Sequence, residues 1–357
     1  MTFGILQQVG AIMPVESNLP SRKAEHIQIN LEKDVSSSAT NGLENYRFVH
    51  EALPEIDLKA VDMAQTLFGK NVIAPVLISS MTGGTEEAYK INCILAEAAQ
   101  TCGIAMGLGS QRAAIENPEL EYTFKIRKVA PKVLLFANLG AVQLNYSYGI
   151  DQCKRAVDMA EADALILHLN PLQEALQPEG DTLFAGLAGK IEKVCQTLPV
   201  PVIAKEVGWG ISEKTARRLA SAGVAAIDVA GAGGTSWSQV EMYRIKDEHL
   251  ANVAADFRDW GIPTADSILA VQHGAPGVMV FASGGLKNGI DIAKCIALGA
   301  SLGGMAGVFL KKASDSLAAT IQLIQDIQRE IQICMFATGS ARLADLRESR
   351  LIFNKDA

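Results

Sequence analysis

The hydrophobic positions of the chain fall into eight short aliphatic or β-branched runs, separated by longer segments with helical periodicity. Uniformly apolar strands that alternate with helices are typical of a parallel sheet covered on its faces. The predicted strands are 72–79, 104–108, 133–138, 164–169, 202–206, 225–230, 278–283 and a weak run at 301–306. The predicted helices are 86–101, 118–128, 151–161, 182–197, 212–222, 266–274, 289–298 and 311–333.

Most strand starts lie about thirty residues apart, which is the length of one βα unit. Eight such units close most naturally into a (β/α)₈ TIM barrel, because an open sheet would leave two unpaired edges. The wide gap at 237–263 predicts an insertion after strand six, and the polar segment 21–45 predicts a mobile N-terminal arm with a flexible loop at 36–42. We therefore expect an arm and lead-in at 1–70, followed by a catalytic barrel with a C-terminal helical tail at 71–357.

Composition removes several classes of function. The 39 acidic residues exceed the 32 basic ones and give a formal charge of −7, so no overall basic footprint indicates nucleic acid. The six cysteines form no CxxC pair, which argues against a disulfide framework and favours a reducing cytoplasm. No basic region opens a signal peptide, and the uncharged stretch 295–310 is too short to span a membrane.

Polar residues follow every predicted strand, and barrel enzymes place their chemistry at these carboxyl ends. The glycine-rich turns after strands seven and eight predict a phosphate site, since such loops bind phosphate through backbone N–H groups. Lys205 on an apolar strand is a buried ammonium that needs an anion. In the structural alternative, Lys205 forms an ion pair with an acidic neighbour such as Glu206 or Asp228. In the functional alternatives, Lys205 acts as an electrophile beside an electron-accepting cofactor or forms a Schiff base with a substrate.

Strand four ends in a dense polar block. His168 and Asn170 alternate to one face, and Gln173 and Glu174 follow in the loop. The single carboxylate of Glu174 cannot fill the coordination shell of a metal ion. Mg²⁺, however, often binds one or two carboxylates and takes its other ligands from water and substrate phosphates. The arm carries a basic cluster, which consists of Arg22, Lys23 and His26. This cluster is either exposed to solvent or binds an anion.

The polar blocks together resemble one family, type 2 isopentenyl-diphosphate isomerase. The matching stretches are RKAEHI at 22–27, SMTGG at 80–84, GSQR at 109–112, HLNPLQE at 168–174, QPEGD at 177–181, KEVG at 205–208 and GGT at 233–235. The resemblance covers roughly residues 20–340, and its strand-four block is far more specific than the glycine turns, which many FMN barrels share.

The resemblance implies interconversion of isopentenyl and dimethylallyl diphosphate, with FMN reduced by NADPH, Mg²⁺ on Glu174, and a homotetramer or homo-octamer. Gln173, His168 and Lys205 would be catalytic. The implied FMN contacts are Ser79, Ser80, Met81, Thr82, Ser110, Asn138, Lys205, Thr235, Gly285, Leu286, Lys287, Ala306 and Gly307. The implied substrate contacts are Arg22, Lys23, His26, Ser110, Gln111, Arg112, Asn170 and Gln173.

Two positions depart from the family pattern. Lys287 stands where an arginine is usual, which removes a bidentate fork but keeps the charge, and Ala230 stands where a hydroxyl residue is frequent. The alternatives are another FMN-dependent barrel oxidoreductase, a Schiff-base aldolase that uses Lys205, and a catalytically silent binding barrel. A 2-hydroxy-acid oxidase would need a histidine and an arginine after strand six, where this chain has GAGGT at 231–235, and a nucleotide dehydrogenase would need a cysteine in a barrel loop.

Overall fold

A computed structural model, which describes residues 19–349 and 351–353, shows a closed barrel of eight parallel strands. The barrel strands are β1 (Val76–Ile78), β2 (Ala105–Gly107), β3 (Leu135–Gly140), β4 (Ala164–Leu169), β5 (Val202–Glu206), β6 (Ala226–Asp228), β7 (Met279–Ser283) and β8 (Leu302–Met305). Each pairs with the next, and β8 closes the ring on β1 with Gly304 opposite Leu77. All eight predicted strands and the TIM barrel are confirmed.

Helices surround the barrel. Within the described residues the α-helices are α1 (Leu19–Glu32), α2 (Glu86–Cys102), α3 (Arg112–Glu116), α4 (Ile150–Ala160), α5 (Pro171–Leu176), α6 (Leu187–Thr197), α7 (Glu213–Ser221), α8 (Trp237–Arg244), α9 (Glu248–Asp256), α10 (Thr264–Gly274), α11 (Gly289–Ala297), α12 (Gly307–Asp315), α13 (Leu317–Ala337) and α14 (Leu343–Glu348). The 3₁₀-helices are Leu43–Asn45, Leu58–Ala60, Pro118–Phe124 and Ala141–Asn145. None of the helices in this part of the chain has the length and apolar character needed to cross a membrane.

Three predicted helices differ from the structure. The α-helix predicted at 118–128 is the 3₁₀-helix that follows Pro118. The helix predicted from residue 182 begins only at Leu187, because Gly186 before it has a left-handed backbone. The long helix predicted at 311–333 is divided at Ser316, whose extended backbone ends α12 and whose hydroxyl accepts from the Ala319 amide to begin α13.

An antiparallel hairpin closes the amino-terminal end of the barrel. Its strands, Gln65–Leu67 and Lys70–Val72, went unpredicted because each has only three residues. Phe68 at the turn packs edge-on against Phe136 and Phe281, whose rings stack 6.0 Å apart inside the barrel. Apolar packing therefore fills the lower barrel and leaves polar chemistry to the opposite end.

The arm lies on that opposite end. Its first half is helix α1, and residues 36–42 form a loop as predicted, but hydrogen bonds fix this loop in place. The Ser37 amide donates to the Gly234 carbonyl at 2.8 Å, and the Asp259 carboxylate accepts from the Ser38 amide at 2.6 Å. Acceptors from Gly234 and from Asp259 of the insertion thus hold the loop in this conformation, and its flexibility stays a prediction. The insertion forms α8 and α9 as expected.

Candidate functional site

A cavity of about 840 Å³ opens at the carboxyl ends of the strands, and the arm forms part of its wall. Twenty of the predicted site residues line it: Lys23, His26, Ser79, Ser80, Met81, Thr82, Ser110, Arg112, Asn138, His168, Asn170, Gln173, Glu174, Lys205, Thr235, Gly285, Leu286, Lys287, Ala306 and Gly307. The parallel register brings these separated segments to one place, because every strand of such a barrel ends at the same face.

One predicted substrate residue, Gln111, is not on the cavity wall. Gln111 is fully buried behind it, where its amide donates to the Ala156 carbonyl at 2.8 Å and accepts from the Asn138 amide at 2.9 Å. Both ends of this amide are thus occupied by backbone, so Gln111 supports the barrel wall instead of facing a ligand. The side chain of Arg22 lies outside the described residues.

One end of the cavity is suited to an anion. The turn after β7 contains Gly284 and Gly285, both with positive φ, and helix α12 begins at Gly307 on the cavity wall. A Cβ built on Gly307 would meet nothing within 4 Å, so open space lies beside the first turn of this helix. Backbone N–H groups at a helix start favour negative charge, and Lys287 lines the same region.

Lys205 and His168 lie side by side in register on the barrel wall. The Lys205 ammonium lies 3.6 Å from the Asp228 carboxylate and donates to the Glu206 carbonyl at 2.7 Å. Burial, together with the charges of Lys205 and Lys23, lowers the pKa of His168 to about 4. His168 is therefore neutral near pH 7, with Nδ1 2.8 Å from the Asn138 side-chain oxygen.

The loop after β4 carries the predicted metal ligand. Glu174 is only 8% exposed; its carboxylate accepts from the Asn170 amide at 2.8 Å and from the Asp181 backbone amide at 2.7 Å. Arg112 is oriented by Asp181 at 2.7 Å and by Glu116 at 2.7 Å. The part of the chain that is described holds no group of three or more histidine, cysteine or carboxylate side chains that could bind a metal, so Glu174 would need a ligand's own oxygens to hold one.

A buried carboxylate that the sequence did not reveal anchors this loop. Glu241 on α8 accepts from the Gln173 amide at 2.9 Å and the Gln177 amide at 2.8 Å, and lies 3.3 Å from His26 Nε2. Its other oxygen accepts from Arg244. Burial alone would raise the pKa of Glu241, but His26, Gln173 and Arg244 lower it to about 2, so a fixed anion ties the arm to the loop after β4.

A second buried carboxylate shapes the loop after β5. Glu206 accepts from three successive backbone amides, those of Val207, Gly208 and Trp209, at 2.7, 2.7 and 2.5 Å. Burial raises the pKa of Glu206 to about 7 against the lowering effect of these amides and of Lys205. In the sequence, Glu206 is recognisable only as a possible partner for Lys205, and the KEVG motif gives no sign that its carboxylate turns back on its own loop.

Comparisons with known proteins agree with this geometry. The family model of FMN-dependent dehydrogenases matches residues 15–119 and 174–353. An isopentenyl-diphosphate delta-isomerase from Nostoc sp. is 56% identical over 92% of this chain and 94% of its own length. One from Rickettsia prowazekii is 48% identical over 96% of this chain and the whole of its own. A mandelate oxidase structure with (S)-2-phenylpropionate superposes with a TM-score of 0.62 at 19% identity, over 92% of this chain and 94% of its own, which shows a shared fold. The chain therefore belongs to the FMN-dependent dehydrogenase family and, within it, to the isopentenyl-diphosphate delta-isomerases.

Proposed function

We propose that this protein interconverts isopentenyl and dimethylallyl diphosphate with reduced FMN in the cavity at the carboxyl end of its barrel. The observation that carries the proposal is the convergence of the strand-four block, the arm lysine and the glycine-rich anion end on one cavity of about 840 Å³. That volume lies in the upper range of ligand pockets and leaves room for FMN and a second ligand.

The residues fit FMN. Ser79 and Ser80 have buried hydroxyl oxygens without a hydrogen-bond partner among the described residues, and both lie on the cavity wall, where a polar ring system would satisfy them. We propose that Ser79, Ser80, Met81, Thr82, Ser110, Asn138, Lys205 and Thr235 hold the ring and ribityl chain, and that Gly285, Leu286, Lys287, Ala306 and Gly307 hold the phosphate. The open space beside Gly307 and the charge of Lys287 support this orientation.

The opposite side of the cavity suits a diphosphate. Lys23 on α1 donates from its ammonium to the Ser110 carbonyl at 2.7 Å, which brings the arm against the loop after β2. We propose that Arg22, Lys23, His26, Ser110, Arg112 and Asn170 bind the substrate. Glu174 would hold Mg²⁺ through one carboxylate, with the diphosphate and water as the other ligands.

The reaction moves a double bond, so one carbon gains a proton and another loses one, with no net oxidation. When bound, reduced FMN would supply acid and base groups at its ring nitrogens. Lys205 would place a fixed positive charge beside that ring. His168, which is neutral, and Gln173, whose amide is fixed by Glu241 at 2.9 Å, would orient the alkene. The arm would exclude water over the reacting carbons.

The finer parts of the proposal rest on the family resemblance. We propose NADPH as the reductant of FMN, a cytoplasmic location and a homotetramer or homo-octamer. Nothing in the cavity suggests the alternative of a 2-hydroxy-acid oxidase, because GAGGT at 231–235 supplies no histidine or arginine after strand six.

The decisive experiment is anaerobic incubation of the protein with reduced FMN, Mg²⁺ and isopentenyl diphosphate in deuterated water. The expected product is dimethylallyl diphosphate that carries deuterium. Glu174→Gln is expected to weaken the Mg²⁺ dependence while FMN content stays intact, and Glu119→Gln, on an exposed carboxylate, is the matched control. A colourless protein that does not bind FMN, or the absence of product with all components present, would refute the proposal.

A further inference from the structure

Asp228 lies directly behind the lysine of the cavity wall. It is the last residue of β6 and faces Lys205 in register on β5. The Asp228 carboxylate is 1% exposed and lies 3.6 Å from the Lys205 ammonium. Lys205 lines the cavity, whereas Asp228 does not. Any effect of Asp228 on a ligand must therefore act through its neighbours.

The other carboxylate oxygen of Asp228 holds two more parts of the wall. It accepts from the Ser283 hydroxyl at 2.7 Å and from the Ala230 amide at 3.4 Å, and both residues line the cavity. Ala230 has a φ of +36°, a conformation that a non-glycine residue adopts only when its surroundings impose it. One buried carboxylate thus joins the ends of β5, β6 and β7.

Several other ionisable groups surround Lys205, but none replaces Asp228. His168 on β4 is neutral, and the charge of Lys23 beyond it repels an ammonium. Glu206 turns its carboxylate onto its own loop, so it interacts with the Lys205 charge without bonding to it, and only its carbonyl oxygen accepts from Lys205, at 2.7 Å. Asp228 is therefore the nearest full counter-charge among the described residues that face this ammonium.

We propose that Asp228 is a positioning residue that keeps the Lys205 ammonium charged and fixed on the cavity wall, and so makes the affinity for FMN independent of pH. This inference rests on the proposed placement of FMN. A buried ammonium without a counter-charge loses its proton readily, because low dielectric disfavours the charged form. Without Asp228, the Lys205 ammonium would keep the cost of burial but lose its nearest counter-charge.

The test is a titration of the apoprotein with FMN, followed by flavin fluorescence between about pH 7 and about pH 9, where the FMN phosphate stays dianionic. Asp228→Asn keeps an oxygen for Ser283 but removes the charge. We expect its FMN affinity to fall about tenfold or more across this range, against little change in the wild-type protein. Adding Lys205→Met to Asp228→Asn is expected to abolish that pH dependence. Ser283→Ala, which removes a hydrogen bond but no charge, is the matched control and should show no new titration.

Stability gives a second readout that needs no FMN. Because each single substitution leaves one buried charge alone, the double variant Asp228→Asn/Lys205→Met is expected to resist urea better than either single variant. This comparison also applies when Asp228→Asn folds poorly. Equal pH dependence in wild type and Asp228→Asn, or additive losses of stability, would overturn the inference. Failure of the wild-type protein to bind FMN would instead overturn the cofactor proposal and leave the stability result standing.

Discussion

Glu241 offers the sharpest quantitative test of how the site is held together. Its pKa is lowered from an ordinary value of 4.5 to about 2, since His26, Gln173 and Arg244 outweigh the effect of burial. The difference of about 2.5 pKa units, at about 1.4 kcal/mol each, corresponds to about 3 kcal/mol of folding free energy from the ionised carboxylate at neutral pH. Glu241→Gln should lose an amount of this order.

The sign of the pH dependence follows from the lowered pKa. The unfolded chain binds the proton more tightly than the folded protein, so the stabilisation is complete above about pH 4.5 and is lost as the pH falls toward about 2. Equilibrium urea unfolding of wild type and Glu241→Gln, with refolding checked, should therefore show a large gap at pH 7. At about pH 3.5 the gap should be smaller by about 1 kcal/mol.

The control removes a different partner of the same arginine. Arg244 also pairs with Glu179 at 2.6 Å, but that carboxylate is 42% exposed. Exposed pairs contribute about 0–1 kcal/mol, so Glu179→Gln should unfold almost as the wild type does. If Glu241→Gln were as stable as Glu179→Gln, or if its deficit were the same at both pH values, the assignment of Glu241 as a charged anchor would be wrong.

Three further outcomes are expected from the loops and from the buried histidine. Gly285→Ala should unfold at a lower urea concentration and bind FMN poorly, because its φ is +72° and a Cβ would lie 2.2 Å from the Gly233 carbonyl oxygen. Gly186→Ala is the control: its φ is +71°, no described atom lies within 4 Å of the added Cβ, and it should lose only about 1 kcal/mol of unfolding free energy. Equal losses of stability in the two variants would contradict the prediction. Asp259→Ala should speed proteolytic cleavage within residues 33–42 and raise the KM for the diphosphate, because the Asp259 carboxylate holds that loop through three hydrogen bonds. An unchanged rate of cleavage would show that the loop keeps its conformation without this carboxylate. Burial and two lysines lower the pKa of His168 to about 4, so the contribution of this residue to stability falls as pH drops from about 6.5 to about 4, while Glu206, whose pKa is raised to about 7, acts in the opposite direction. Wild type should therefore lose stability relative to His168→Gln over this range, and parallel pH curves would refute the prediction.

The sequence was sufficient for the barrel and for much of the cavity because both follow from periodicity. Apolar runs mark the strands, and parallel strands place the residues after each run on one face, so Ser80 and Gly307 could be assigned to one cavity although 227 positions separate them. The division of the chain at residue 70 stays a prediction. Short elements were not predicted, because a three-residue strand such as Gln65–Leu67 is too short to show a recognisable hydrophobic pattern.

Side-chain direction was the information that the sequence lacked. Gln111 stands between Ser110 and Arg112, which both line the cavity, yet its amide turns into the wall to bond the backbone of α4 and β3. Glu241 looks like any carboxylate on the polar face of an inserted helix, and only tertiary packing buries it. Residue type and spacing identify a functional segment, but packing decides which of its members face the ligand.

The cations of the cavity bear on how an acidic chain would bind the two phosphorylated ligands proposed for it. Arg112 is held by Asp181, and Lys205 by Asp228, and neither carboxylate lies on the cavity wall. Such pairing cancels much of the long-range field of each cation. We therefore expect Arg112 and Lys205 to orient a bound ligand more than they attract it from solution. The pairing also fixes their side chains in advance, which removes an entropic cost from binding. In the proposed arrangement, the attraction would come from Lys287 and the backbone amides at one end, and from the arm and the proposed metal on Glu174 at the other. Raising the ionic strength should accordingly weaken substrate binding more than the pairing of Lys205, because exposed charges are screened and buried ones are not.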